Sequence, residues 1–134
     1  MGSEVSINLN LLLLLLVCHW LGDFTHLSTP AMLKAKEKGT PVLPIVLHAG
    51  VHAILMFLVL MFFIPFQAAV FLMLFEWVTH FALDLLKGKS NVWFPQLSDS
   101  KNPFHWYIFG IDQILHIVVI IFIAVLAKVS FLIV

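Results

Sequence analysis

The sequence predicts an all-α integral membrane protein, a four-helix bundle with both termini outside. Three observations carry that expectation. Apolar residues make up 62% of the chain and charged residues only 10%, against about 25% charged residues in a soluble domain. Four stretches approach the ~20 apolar residues that cross a bilayer as a helix. Prolines punctuate these stretches instead of interrupting them. The 134 residues have the length of one domain, so residues 1–134 are expected to form a single transmembrane domain. Water cannot solvate so apolar a surface, which makes membrane lipid the expected partner.

The first stretch runs from about Asn8 to Leu27. It lacks a positively charged leader, and His19 and Asp23 stand where a small-residue cleavage site would be, so it reads as an anchored span and not a signal peptide. Met1 to Ser6 also fits the loose pattern for N-myristoylation, a weak signal beside a helix that already holds the chain in lipid. The second stretch covers about 41–64, the third about 66–86 and the fourth about 104–127. Pro30, Pro41, Pro44, Pro65 and Pro103 fall at or near helix starts, where a missing N–H costs least. None of the stretches alternates as a barrel strand would, which leaves helices as the way to satisfy the backbone in lipid. Thr29 to Lys38 has the make-up of a short surface helix, and Ser90 to Asn102 is the longest loop. Trp93, Trp106 and Tyr107 read as interfacial anchors.

The lysines set the orientation. Lys34, Lys36 and Lys38 lie between the first and second spans, and Lys87, Lys89 and Lys101 between the third and fourth, so a serpentine brings them to one side. Only Lys128 falls on the other. The positive-inside rule makes the lysine-rich side cytoplasmic, and the expected location is the inner membrane of the cell, multi-pass. A net charge of zero offers no basic groove, so no nucleic acid is expected as a partner. Cys18, the single cysteine, excludes an internal disulfide and reads as a small core residue. Four helices in so short a chain bury little surface, which makes a homo-oligomer an expectation too.

The spans hold groups that lipid should exclude. His19 and Asp23, His48 and His52, His80 and Asp84, and Asp112 and His116 form one i, i+4 pair on each span, a spacing that puts both members on one helix face. Glu76 extends the third stripe by one turn. Alternating helix direction places all four pairs in the cytoplasmic half, within roughly 5–20 Å of that interface at ~1.5 Å per residue. Each ionisable group at a span centre costs at least ~2.5–3.5 kcal/mol on insertion scales, so eight of them need compensation. A divalent transition metal supplies it by neutralising the carboxylates and taking imidazole lone pairs. The expected ligands are therefore His19, Asp23, His48, His52, His80, Asp84, Asp112 and His116, serving one or two ions. Zinc is the first choice, with iron, manganese and nickel as alternatives to it. A proton relay or metal-free polar network, and a haem or other cofactor, are the competing readings of the same residues. Glu76 and Asp112 are the candidate catalytic carboxylates, Glu76 as general base or as an acceptor behind His80. His26 is a ligand or a cap, and His105, next to Trp106, is interfacial.

Four blocks resemble a known family. His19-Trp20-Leu21-Gly22-Asp23-Phe24, His48-Ala49-Gly50-Val51-His52, Thr79-His80-Phe81-Ala82-Leu83-Asp84-Leu85-Leu86-Lys87 and Asp112-Gln113-Ile114-Leu115-His116 are similar, in order, to the uncharacterised bacterial and phage small membrane protein family known as domain of unknown function 3307. The resemblance spans roughly Leu11 to His116 and implies the same membrane fold and the same key residues. That family usually has a Gln near the place of His26, which speaks against His26 as a ligand. In style, the pattern is also similar to small membrane-bound metal-dependent hydrolases.

Three functions follow as expectations. The first is a membrane-embedded metalloprotein with its centre in the cytoplasmic leaflet, acting as a metal-dependent hydrolase on a lipid-like or amphiphilic substrate. The second is a divalent-metal or proton transporter, since His-x-x-x-Asp pairs also resemble the sites of cation-diffusion zinc exporters. Residues 53–64 and 117–127 are wholly apolar, however, and no polar ladder continues outward. The third is a structural or regulatory membrane protein in which the cluster only holds the helices together.

Overall fold

The computed structural model describes residues 7–132. Residues 1–6, with the myristoylation pattern, lie outside them. Five α-helices follow one another: α1 over Leu9–Phe24, α2 over Pro30–Lys38, α3 over Val42–Leu60, α4 over Phe66–Trp93 and α5 over Pro103–Leu132, with a short 3₁₀ turn over Pro95–Ser98 between the last two. The architecture is all-α, with one helix more than the predicted four. Val42–Leu60, Phe66–Trp93 and Pro103–Ser130 are long and apolar enough to cross a membrane, whereas α1 is apolar but has only 16 residues.

The ends of α1 show why it is short. Asn8 caps its start by accepting from the backbone N–H groups of Asn10 and Leu11. At its other end the Thr25 hydroxyl donates to the Leu21 carbonyl, and the Ser28 hydroxyl donates to the Gly22 carbonyl at 2.7 Å. Side-chain hydroxyls thus take the carbonyls that a further turn would have used. The helix stops at Phe24, three residues before the predicted end.

The additional helix, α2, is a capped unit of its own. Thr29 accepts from the Met32 N–H, Pro30 opens the first turn, and Gly39 closes the helix in the left-handed region at φ 64°. Glycine occupies that conformation without steric penalty. The helix lies against α3 and α4. A Cβ on Gly88 of α4 would collide with the backbone of Gly39 and Lys36, so the two helices meet backbone to backbone there. Asn91 of α4 donates to the Glu37 carbonyl at 3.0 Å. The predicted loop from Ser90 is accordingly helical as far as Trp93.

The bundle interior divides into two halves along its length. One half is apolar, built from Leu11, Leu15 and Cys18 of α1, Met56 and Leu60 of α3, Ala69 and Leu72 of α4, and Ile120, Ile123, Ala124 and Ala127 of α5. The other half begins where His19, His52, Glu76 and His116 take over the same buried stripes. The stripe of α4 shows the change within one helix, passing through Ala69, Leu72, Glu76, His80, Asp84 and Gly88. Outward-facing positions are mostly apolar, among them Leu13, Ile54, Phe71, Ile114 and Val118, which suits lipid contact. Trp93, Trp106 and Tyr107 are exposed at the end where α4 and α5 meet their connecting turn.

The close approach at Gly88 yields a test. Gly88→Ala should lift α2 without unfolding the spans, because forcing a methyl into a filled contact costs about 1–3 kcal/mol. Hydrogen exchange should show residues 30–38 losing protection by about tenfold or more, with α3 and α5 unchanged. Unchanged protection in α2 would contradict the contact.

Candidate metal centre

Five imidazoles meet at the polar end of the bundle. The ring centroids of His52 and His80 are 3.8 Å apart, those of His80 and His116 4.3 Å, and those of His48 and His52 4.7 Å. His19 joins at 5.2 Å from both His52 and His116. All five side chains are buried. Gly22 makes this packing possible, since a Cβ there would collide with the His52 ring.

Hydrogen bonds on the outside of the cluster orient the rings. Ser28 has one hydroxyl proton and gives it to the Gly22 carbonyl, so across the 3.1 Å to His48 Nδ1 it accepts. The Nδ1–H of His80 donates to Glu76 Oε1 at 3.2 Å, and that of His116 donates to the Asp112 carbonyl at 2.8 Å. In the neutral form of each of these three rings the Nε2 lone pair points inward. This is how an outer acceptor orients a metal-binding imidazole. Gln113 does the same for His19. Its amide nitrogen donates to Asp23 Oδ2 at 3.2 Å and Asp112 Oδ2 at 3.3 Å, so its oxygen takes the His19 Nε2–H at 3.3 Å.

The inward side is poorly paired. His19 Nδ1, both nitrogens of His52, His80 Nε2, His116 Nε2 and both carboxylate oxygens of Asp84 are buried without a hydrogen-bond partner among the described residues. His80 Nε2 lies 3.4 Å from Asp84 Oδ2, and His116 Nε2 lies 3.8 Å from Asp84 Oδ1. Lone pairs that face a carboxylate at such distances repel one another unless positive charge lies between them. Each buried polar atom left unpaired costs about 1–3 kcal/mol.

Two groups of donor atoms lie close enough together to hold a metal ion in principle. Asp23, His48, His52 and His80 form one, and His80, Asp84 and His116 form the other, with the atoms of each within 4.8 Å of one another. Six of the eight predicted ligands fall in these groups. His19 and Asp112 are placed beside them. Asp112 Oδ2 pairs with Lys87 Nζ at 3.0 Å, while its Oδ1 is 3.7 Å from His116 Nδ1. Glu76 is buried behind His80, on the nitrogen that faces away from Asp84. His26 is exposed in the turn after α1. His105 binds the Leu97 carbonyl at 2.6 Å and so ties α5 to the 3₁₀ turn.

Sequence reasoning missed Ser28, Gln113 and Lys36. Gln113 was legible only as part of the fourth block, and nothing local marks Ser28. Lys36 reads as one of the lysines that set orientation, yet its ammonium enters the cluster from α2. Its Nζ lies 3.0 Å from Asp23 Oδ1, 2.9 Å from His48 Nε2 and, without hydrogen-bond alignment, 3.2 Å from Asp84 Oδ1. Burial works against its charge, but the Asp84 and Asp23 carboxylates outweigh that and hold the Lys36 amine above the ordinary lysine range.

A cavity of about 280 Å³ opens beside the cluster. Asp23, Lys36 and Gln113 reach it from the centre, and Phe24, Leu33 and Phe109 contribute apolar wall.

Residues 11–133 match the family model DUF3307, protein of unknown function. No curated protein and no solved structure matches the chain.

The orientation of His48 through Ser28 can be tested directly. Ser28→Ala should destabilise the protein by about 1–2 kcal/mol in mixed-micelle unfolding, as expected for a lost acceptor at a buried N–H. Nitrogen NMR of the His48 ring should change from one tautomer to a mixture. A single unchanged tautomer in the variant would mean that Ser28 does not orient the ring.

Proposed function

The chain belongs to the DUF3307 family, and we propose that it is a membrane-embedded metalloprotein acting as a metal-dependent hydrolase on a lipid-like or amphiphilic substrate. The observation that carries this reading is the set of buried atoms on His80, His116 and Asp84 that have no hydrogen-bond partner among the described residues. Three rings with outer nitrogens already engaged are prepared to bind through Nε2. With His80 Nε2 assigned to the second group, the donors fall into two sets of two imidazoles and one carboxylate: Asp23, His48 and His52, and His80, Asp84 and His116. That composition suits catalytic zinc, which keeps one position open beside three protein ligands, and it also suits iron. Manganese and nickel are the further alternatives.

A divalent ion in such a site supplies Lewis acidity and an acidified water. The residues of the chain hold and orient. Glu76 acts through His80, and His19 acts through its bond to Gln113. Asp112 is the carboxylate available to take a proton, since it stands at the edge of the cluster with its Oδ1 outside the Lys87 ion pair. The adjoining cavity joins a polar floor to an apolar wall, which matches a molecule with a polar head and a greasy tail.

The whole chain is read as one transmembrane domain with both termini outside, in the inner membrane of the cell. The polar half then faces the cytoplasmic leaflet, as the lysines of residues 34–38 and 87–101 favour. The apolar interior from Leu11 to Leu15 and from Ile120 to Ala127 supports a site open to one side, and speaks against transport of metal or protons by a single chain.

Purified protein should carry a transition metal detectable by elemental analysis, and hydrolysis of amphiphilic esters or phosphate esters in micelles should stop on chelation and return with zinc. His80→Ala and Asp84→Ala should each weaken metal binding by a hundredfold or more, whereas His105→Ala should leave it unchanged. Protein that contains no metal and takes none up would overturn the proposal. Saturable zinc flux into liposomes, abolished in the Asp84 variant, would replace the enzyme with a transporter.

A further inference from the structure

The first of the two donor sets already holds a cation, and it belongs to the chain. His48 accepts from Lys36, because its Nδ1–H is committed to Ser28 and a second N–H on Nε2 would face the ammonium at 2.9 Å. Asp23 Oδ1 lies 3.1 Å from His48 Nε2. Two acceptors at that distance need a donor between them, and Lys36 Nζ bonds to both. The Nε2 of a neutral imidazole has one in-plane lone pair. It can take the Lys36 proton or a metal ion, but not both.

Resting on the metalloprotein reading, we propose that the Lys36 ammonium takes the place of a second metal ion, so that the centre holds one divalent ion, at His80, Asp84 and His116, with Lys36 as the fixed second cation at Asp23 and His48. Formal charge supports the assignment. Asp23, Asp84 and Glu76 contribute three negative charges to the buried cluster, while Asp112 is balanced by its ion pair with Lys87. One divalent ion plus Lys36 matches the three. Two divalent ions and a displaced lysine would leave one positive charge in excess in the cluster, a costly arrangement in a buried site. Lys36 also lines the cavity, whereas His80, Asp84 and His116 do not, and its Nζ is 3.2 Å from Asp84, so the ammonium stands between that space and the single ion. Its position is built into the fold, since the backbone contact of Gly88 with Gly39 and Lys36 sets how far α2 leans over the cluster.

The experiment is a zinc titration of the purified full chain in detergent, read as bound zinc per chain after removal of free ion. The wild type should saturate at one ion. Lys36→Glu, which exchanges the ammonium for a carboxylate so that two divalent ions match four negative charges, should saturate at two. A wild type that binds two ions, or a Lys36→Glu variant that stays at one, would overturn the inference while leaving the metalloprotein intact. A wild type that binds none would remove the metalloprotein reading itself. Should the variant fail to fold, reductive methylation of the zinc-loaded wild type with site-resolved mass spectrometry decides the matter. Lys34 and Lys38 are exposed on the same helix and serve as labelled controls. Lys36 should stay unlabelled with zinc bound, and labelling to the level of its neighbours would show that metal has displaced it.

Discussion

The structure depends on one electrostatic constraint. Imidazoles and carboxylates from all the long helices are buried together at one end of the bundle. Such groups are retained there only if positive charge lies among them, because the Asp84 oxygens and the inward nitrogens of His80 and His116 have no hydrogen-bond partner among the described residues. The surrounding hydrogen bonds are arranged around that need. Ser28, Glu76 and the Asp112 carbonyl each take one ring N–H, and so direct the remaining lone pairs toward the centre. Lys36 brings one positive charge from outside the spans.

The apolar half of the bundle gives the polar half its meaning. Leu15, Met56, Leu72 and Ile120 are buried on the same stripes that carry His19, His52, Glu76 and His116 one turn further along. Helix packing is therefore continuous, and only the chemistry of the contact changes. The apolar end holds the helices in register by close packing of Leu, Ile and Ala side chains. The polar end is then free to hold groups that would not pack well on their own account.

The short helix α2 borders the centre. Its own caps let it fold as a separate unit on α3 and α4, and the bare backbone at Gly88 lets it come close enough for Lys36 to reach Asp23 and His48. The cavity lies beneath its edge, bordered by Leu33 and Lys36. One short helix thus both borders the cavity and carries a charge into the cluster.

Much of the site was legible because helices have a fixed period. Pairs spaced i, i+4 necessarily share a face, and the alternating direction of successive helices puts those of all four apolar helices at one level. The four blocks that carry these pairs also identified the family. The long apolar runs were legible from hydropathy, though the end of α1 was not, because the Thr25 and Ser28 hydroxyls terminate it through contacts that have no signature in composition. By itself, then, the amino-acid sequence determined the four apolar helices, the faces they bury and the paired ionisable groups on those faces. Tertiary structure alone decided that Ser28 and Gln113 orient the rings, that Glu76 stands behind His80, and that Lys36 sits inside the cluster. The reason is that these contacts join residues on different elements. Their distances follow from how the helices and turns dock, whereas helical periodicity relates only positions within one helix.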